Sequence, residues 1–300
     1  MQSKQTYTIG DVSQQTGVAS VTLRAWERRY GLIKPQRTSK GHRVYSRKNI
    51  EDIQHILSWL KRGVAISKVA SLLVNDKSPD NIVPANEQWA AKQAGLLASI
   101  KQLKQPGLDQ HLDRLNKETP FITLCESVYQ PLQMTLIQRW QQHPLGYQLE
   151  QQLWQQSWQR QTLIMALRAG KQQMLSHCCL INLGDGKPSL EYSLLHALLL
   201  QSGIRVMALE AVKDLMELSR LNGATACPLI FFADRRLEQK LVHQLIKFST
   251  TWQNKILCAG PMSDIHQQEL AGLDLDCVGG SVSDGWQSAV MKAWLEKIKR

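Results

Sequence analysis

The sequence lacks any run of about 18 apolar residues, the length that a membrane-spanning helix needs. Its first five residues, Met1 to Gln5, place no apolar stretch behind their one lysine, so the pattern of a secretory signal is missing. A hydrophobic fraction of 43% is typical of a folded soluble chain. We therefore expect a protein that has no membrane partner and stays in the cytoplasm.

The chain also lacks the usual signatures of metal and catalytic sites. None of its six cysteines belongs to a Cys-x-x-Cys pair, and most lie in apolar runs typical of buried strands, which favours buried free thiols over metal or redox chemistry. We find no Ser/His/Asp arrangement, no suitably spaced pair of carboxylates and no second ligand near His42. These absences predict a protein that is not an enzyme and holds no metal.

Basic residues are concentrated near the start of the chain. The net charge is +11 at pH 7, and residues 1–77 hold 14 Lys and Arg against 5 Asp and Glu, whereas the remainder holds 22 against 20. Such a surplus suits a domain that binds a polyanion, because neutralising phosphates releases counterions. A solvated face or a membrane-surface patch would also be basic, so charge alone leaves the alternatives open.

The first segment has the pattern of two short helices. Thr8 and Asp11 have the spacing of a capping box, which predicts a helix from Ile9 to Gln15 that ends at Gly17. Ser20 is the predicted cap of a second helix, which Gly31 terminates. Two short helices joined by a tight turn that contains glycine indicate a helix-turn-helix.

The second helix has two different faces, and a basic hairpin follows it. Helical spacing puts Leu23, Trp26 and Tyr30 on one apolar arc and the basic side chains Arg24 and Arg28 on the other. Residues 34–45 are too rich in Gly and Pro for a helix and end in an alternating pattern that suits a hairpin. We interpret this hairpin as a wing, with Ser46 or Asn49 capping a third helix and Ile66 to Leu73 marking a fourth.

The periodicity changes twice along the rest of the chain. A linker is predicted at residues 75–84, and the pattern over residues 87–176 is helical. Beyond His177, five apolar runs alternate with helical stretches, which favours a doubly wound parallel sheet. The predicted fold class is α plus α/β, with an N-terminal winged helix-turn-helix in residues 1–76, a linker and central helical bundle in 77–176, and a flavodoxin-like sheet in 177–300.

Three strings resemble a known family. The strings TLRAWERRYGL at residues 22–32, KPQRT at 34–38 and GHRVY at 41–45 closely resemble the recognition helix and wing of the MerR family of transcription regulators. The resemblance covers about residues 7–74. Within that family, WERRYG at 26–31 is similar to the branch that contains the cobalamin photoreceptor-repressors and the MlrA-type regulators of curli and biofilm genes.

The resemblance implies a homodimer on double-stranded promoter DNA, with recognition helices in successive major grooves and wings on the flanking backbone. Arg24 is the candidate for base edges and nearby phosphate, and Gly41 is expected to supply the turn conformation of the wing. Core packing is the alternative for Trp26 and Tyr30. The further candidates for DNA contact are Thr22, Arg28 and Tyr30 in the helix, and Arg37, Lys40, His42, Arg43 and Tyr45 in the wing.

The same resemblance raises cobalamin as a cofactor for the C-terminal region. The cobalamin-binding family has Asp/Glu-x-His-x-x-Gly in the loop after the first strand, here residues 184–189, and its imidazole ligates cobalt. Ser189 falls near the histidine position and Tyr192 near the glycine position. We therefore expect no cofactor and a degenerate cobalamin-binding-like Rossmann domain, with cobalamin a disfavoured alternative.

These observations predict a sequence-specific dimeric regulator that a C-terminal sensory or docking module controls through a protein partner or an unidentified small molecule. The MlrA-type resemblance implies biofilm or cyclic di-GMP-linked control. A cobalamin-dependent, light-responsive repressor is the first alternative. A corrinoid-dependent enzyme is the second, and the missing motif residues disfavour both.

Overall fold

The computed structural model of this chain describes residues 6–61, 64, 66, 67, 69, 85–169, 176–184, 188–210, 212–221 and 227–299. It forms two compact units, Met1–Ser157 and Trp158–Arg300. Among the described residues, no helix is both long enough and apolar enough to span a membrane. The predicted junction at residues 76–77 lies outside the described residues, and the division into three domains stays a prediction.

The helix-turn-helix is built from α1 (Ile9–Thr16) and α2 (Ser20–Ala25), which a single-turn π-helix at Trp26–Tyr30 extends. The predicted capping box is confirmed, since Thr8 Oγ1 accepts from the Asp11 N–H while the Asp11 carboxylate accepts from the Thr8 N–H. Gly17 ends α1 in a left-handed conformation with φ of 71°. The predicted cap of α2 was wrong, because Ser20 is already helical and Ala19 is the N-cap.

A small antiparallel sheet carries the hairpin. Strands β1 (Thr6–Tyr7), β2 (Gln36–Arg37) and β3 (Arg43–Ser46) lie in the order β1-β3-β2, and α3 (Arg47–Lys61) follows directly. Both predicted caps of α3 are used, since Ser46 Oγ accepts from the Asn49 N–H and Asn49 Oδ1 accepts from the Ser46 N–H. Most of the predicted fourth helix lies outside the described residues.

The helices and the sheet close over one apolar core. Its largest fully buried side chains are Trp26 and Tyr45, together with Leu23, Ile33 and Ile53. Because Trp26 comes from the π-helix and Tyr45 from β3, this core sets the position of the hairpin relative to the recognition segment, by which we mean α2 and the π-helix together.

The middle of the chain is helical, as predicted. Its helices are α4 (Ala85–Lys101), α5 (Gln105–Glu118), α6 (Phe121–Leu124), α7 (Gln130–Gln141) and α8 (Tyr147–Ala169), with a π-turn at Cys125–Tyr129. Two buried polar side chains pair with each other, since the Tyr129 hydroxyl donates to Asn116 Oδ1 at 2.6 Å. Arg139 donates two hydrogen bonds to the buried Glu150 carboxylate, at 3.0 and 2.8 Å. Arg139 thereby lowers the pKa of Glu150.

The second unit contains the predicted parallel five-stranded sheet. Its strands lie in the order β5-β4-β6-β7-β8, and every neighbouring pair is parallel. They are β4 (Ser176–Asn182), β5 (Ile204–Leu209), β6 (Leu229–Phe232), β7 (Ile256–Ala259) and β8 (Asp276–Val278). The helices are α9 (Leu190–Gln201), a 3₁₀ helix (Leu215–Leu221), α10 (Gln239–Ser249), α11 (Pro261–Ile265), α12 (Gln267–Leu270), α13 (Val282–Gln287) and α14 (Ala289–Lys299).

One strand begins later than the sequence predicts. The apolar run that starts at Cys227 contains Pro228, which has no N–H to donate to a ladder, so β6 begins at Leu229. The cysteines are all described and none forms a disulfide, as predicted. Burial raises the pKa of Cys179 to about 12, which keeps this thiol protonated and unreactive.

Candidate nucleic-acid interface

A cleft of about 290 Å³ opens between the recognition segment and the hairpin, and we call it the basic cleft. It is lined by Thr8, Ile9, Arg24, Gly41, His42 and Arg43. Arg24 comes from α2, whereas His42 and Arg43 come from the hairpin, so the fold joins residues nearly twenty positions apart in sequence. Converging cationic and N–H donors in an open cleft can hold a phosphate oxygen of a nucleic acid.

The turn of the hairpin has the backbone that was predicted for it. Gly41 has φ of 81°, its N–H donates to Thr38 O at 2.8 Å, and the Thr38 N–H donates to His42 O at 2.9 Å. Only glycine adopts such a φ without a steric cost. The turn leaves His42 exposed at the rim of the basic cleft.

A carboxylate that the sequence analysis passed over joins the recognition segment to the hairpin. Glu27 Oε2 accepts from Arg43 Nε, and Glu27 Oε1 accepts from Arg37 at 3.4 Å. The side chains of Glu27 and Arg43 are only 19% and 20% exposed, so water screens this pair little. The hydrogen bond to Glu27 raises the pKa of Arg43. A signal was present, because Glu27 is the one acidic residue between Asp11 and Glu51.

Tyr45 has a buried ring and an unpaired hydroxyl. The residue is 1% exposed and packs in the core, and its hydroxyl has no hydrogen-bond partner within the part of the chain that the structure describes. Burial, and then the charge of Glu27, raise the pKa of Tyr45, so its phenol remains a neutral donor. Tyr45 does not line the basic cleft, so the structure places this predicted contact residue in the core.

The other residues that were predicted to contact DNA do not line the basic cleft. Arg28 and Lys40 are exposed and do not line the basic cleft, whereas Thr22 is buried. Tyr30 packs against the core of the helix-turn-helix, and burial, followed by the charge of Glu118 in α5, raises its pKa. The structure therefore brings together Arg24, His42 and Arg43, and places Thr22 and Tyr30 elsewhere. A DNA contact by any of these residues stays a prediction.

The C-terminal unit does not fit the cobalt-binding motif that the resemblance implies. Ser189 is the N-cap of α9, and its Oγ accepts from the Tyr192 N–H at 3.3 Å, so a hydroxyl stands where an imidazole is needed. Tyr192, near the position of the motif's glycine, is 2% exposed, and its ring packs at 63° to Phe232. Its hydroxyl is shared between Leu180 O at 3.2 Å and Leu209 O at 3.4 Å.

Two carboxylates accept hydrogen bonds from backbone N–H groups at the carboxyl edge of the same sheet. Asp264 Oδ2 accepts from the Gly280 N–H at 2.7 Å, and Glu191 Oε2 accepts from the Val282 N–H at 2.9 Å. A side chain at Gly279 would meet the Asp264 carboxylate at 1.8 Å. The start of α13 therefore already has anionic partners from the chain itself, and an anionic ligand would have to displace them.

Replacing Glu27 by glutamine is expected to release Arg43 and Arg37 from their shared carboxylate. We expect the unfolding free energy to fall by about 1–2 kcal/mol, because both lost hydrogen bonds are charge-assisted and the one to Arg43 is partly buried. Binding to random DNA should tighten and depend more steeply on salt, by about one extra phosphate, because Arg37 loses its ion pair with Glu27 and gains freedom to reach the backbone. Urea unfolding and salt titrations of binding measure the two effects.

The matched control is Glu51→Gln. Glu51 pairs with Arg47 at 3.5 Å, but these side chains are 56% and 71% exposed, so the cost should be under about 0.5 kcal/mol. If the two glutamine variants behave alike, Glu27 does not hold the hairpin.

Comparison with known proteins supports the geometry of the first unit. The model of the MerR HTH family regulatory proteins matches residues 7–75. The HTH-type transcriptional regulator MlrA of Escherichia coli (strain K12) is 37% identical over 130 residues, which are 43% of this chain and 51% of that protein. The HTH-type transcriptional repressor CarH of Myxococcus xanthus is 28% identical over 150 residues, 46% of this chain and 49% of that protein.

These matches cover only part of each relative. The chain spans about half the length of these two relatives. A third relative, the HTH-type transcriptional regulator CueR of Yersinia pestis, is 26% identical over 109 residues, 36% of this chain and 70% of that protein. These matches confirm the predicted resemblance to the MerR family and its MlrA-type members.

Proposed function

Residues 7–75 are a MerR-family helix-turn-helix domain, and from this premise we propose that the chain binds promoter DNA sequence-specifically and regulates transcription. The observation that carries the proposal is the basic cleft, in which Arg24 of the recognition segment faces His42 and Arg43 of the hairpin. A major groove admits a helix, and arginine is the side chain that most often reads guanine there. In this proposal Arg24 reads base edges while the hairpin binds phosphates and acts as a wing.

The proposal includes a homodimer. One recognition segment spans only a few base pairs, and two symmetric copies can meet two half-sites on one side of the duplex. The surplus of positive charge in residues 1–77 supports the phosphate contacts that such binding needs. Because its target is promoter DNA, the protein acts in the cytoplasm.

We assign the C-terminal unit a sensory or docking role. Its strand order, in which the first strand lies between the second and the third, is that of flavodoxin-like folds. The environments of Ser189 and Tyr192 favour a module that works without a corrinoid, through a protein partner or another small molecule. The MlrA-type resemblance extends the proposal to biofilm genes or cyclic di-GMP-linked control.

Two arginine variants test the division of work within the basic cleft. Arg24→Ala should weaken binding to DNA selected from a random pool by about 1–3 kcal/mol and relax the base preference at one position. Arg43→Ala should weaken binding to selected and random DNA alike, and should reduce the salt slope by about one phosphate. Binding isotherms at several salt concentrations measure both effects.

The control variant is Arg205→Ala, which removes an exposed arginine from β5 of the C-terminal unit and should leave binding unchanged. Equal losses on selected and random DNA for Arg24→Ala would show that this residue does not read bases. If the unmodified chain enriches no sequence from the pool, the proposed function itself is wrong.

A further inference from the structure

The C-terminal end of α5 contacts the recognition segment at three points, all through Glu118. The Trp26 indole Nε1 donates to the Glu118 main-chain oxygen at 3.1 Å. The Glu118 carboxylate lies 3.7 Å from the Arg29 guanidinium, and its charge, after burial, raises the pKa of Tyr30. We call these three interactions the Glu118 contact. They join the helix-turn-helix to the bundle across 92 residues of sequence.

The main-chain part of this contact is hard to break. The last carbonyls of a helix have no intrahelical partner, and Glu118 is the final residue of α5. The indole that satisfies this carbonyl belongs to Trp26, which is fully buried. If the recognition segment left the bundle without rearranging, a buried N–H would lose its acceptor, and such groups are costly to leave unpaired.

The side chain of Glu118 adds an electrostatic interaction to this main-chain hydrogen bond. The Glu118 carboxylate is 25% exposed and the Arg29 guanidinium is 51% exposed, so their ion pair is weak when considered alone. The carboxylate, after burial, raises the pKa of Tyr30, which keeps the phenol protonated as a donor. A second positive group lies nearby, because Glu118 also acts on Lys92, whose Nζ lies 3.9 Å from the centroid of the Trp89 ring.

The contact holds the residues that immediately follow Arg24. Trp26, Arg29 and Tyr30 form the π-helix that continues α2, so holding them fixes the direction in which α2 presents Arg24. On the other side, Glu118 is followed by Thr119 and Pro120, where α5 gives way to α6. A change in the bundle at this junction would therefore move the carbonyl and carboxylate that hold the recognition segment.

We propose that Glu118 is a positioning residue for DNA recognition, which fixes the recognition segment on the bundle and passes movements of the bundle to it. This inference rests on the proposed function. Glu118 does not touch DNA in this scheme. It sets the angle at which each recognition segment of a dimer meets its half-site, and hence which separation of half-sites the dimer accepts.

The test uses the full chain and variants that leave the main-chain oxygen in place. Glu118→Gln removes the charge, and Asp113→Asn removes a carboxylate from the same helix, where Asp113 pairs with Lys117 instead. Binding is measured on selected DNA and on copies in which the half-sites are moved by one or two base pairs. Hydrogen exchange of the peptide that contains residues 24–33 is measured without DNA.

We expect Glu118→Gln to bind its best site nearly as well as the unmodified chain but to discriminate about fivefold less between separations. Exchange in the 24–33 peptide should be about fivefold faster. Asp113→Asn should match the unmodified chain in both measurements. The double variant Arg29→Glu/Glu118→Arg should exchange more slowly than either single variant, because the ion pair is restored with the charges reversed.

The inference is overturned if Glu118→Gln matches Asp113→Asn in both measurements, or if the reversed pair exchanges as fast as the single variants. A chain that binds no DNA would contradict the proposed function, while the exchange measurements would still test the Glu118 contact. The two failures can therefore be told apart.

Discussion

Replacing Trp26 by alanine is expected to lower the unfolding free energy of the N-terminal unit by about 3–5 kcal/mol. The indole is fully buried, and it joins the recognition segment to the rest of the core. Its removal leaves a cavity in this core, and it also leaves the Glu118 carbonyl without its donor. Urea titrations followed by hydrogen exchange of N-terminal peptides measure this loss without interference from the C-terminal unit.

The control is Trp26→Phe, which keeps most of the ring volume but loses the N–H. We expect it to cost about 1–2 kcal/mol, the cost of a lost hydrogen bond and imperfect packing. DNA binding should weaken in proportion to the unfolded fraction for Trp26→Ala, whereas Arg24→Ala should weaken it without any change in stability. If phenylalanine and alanine cost the same, the indole bond to Glu118, rather than its volume, is the main contribution.

Replacing Tyr192 by alanine should destabilise the C-terminal unit by about 3–5 kcal/mol. The ring is buried beside Phe232 at a centroid distance of 6.0 Å, and its hydroxyl bonds carbonyls of two neighbouring strands. These contacts make the side chain part of the core at the position where the corrinoid motif has a glycine. Urea unfolding monitored by far-UV circular dichroism, with DNA binding as a check on the N-terminal unit, measures the loss.

Tyr192→Phe separates the ring from the hydroxyl. It should cost only about 1 kcal/mol, because the shared hydrogen bond is lost while the packing is kept. A cost below about 1 kcal/mol for Tyr192→Ala would mean that the ring fills no essential space. In that case Tyr192 would not stand in the way of a corrinoid at this position.

Glu27 and Glu118 both hold side chains of the recognition segment or the hairpin in place. Glu27 holds the arginines of the hairpin, and Glu118 holds Arg29 and Tyr30 at the end of the recognition segment. Neither carboxylate lines the basic cleft, where it would repel phosphate. Each can orient cationic side chains at a distance from the DNA surface.

Much of the fold follows from short stretches of sequence. The capping box of Thr8 and Asp11 predicts the start of α1, Gly17 and Gly41 predict their left-handed turns, and apolar runs predict the strands of the parallel sheet. These features depend on neighbours within a few residues, so local rules are enough to find them. The late start of β6 was predictable in the same way, since Pro228 cannot donate to a ladder.

The details of the site needed the tertiary structure. Helical spacing alone leaves Tyr30 open to core packing or DNA contact, and only the tertiary structure shows that it packs against the core, where the charge of Glu118 also raises its pKa after burial. Similarly, the isolation of Glu27 among basic residues does not show which arginines it pairs with, and nothing near Tyr192 in the sequence shows that its ring packs against Phe232. Sequence by itself determined where the helices, turns and strands lie and where positive charge collects, because backbone hydrogen bonding and side-chain periodicity act locally. Which side chains pair across distant segments was decided by packing, because those pairs exist only once separate elements share a core.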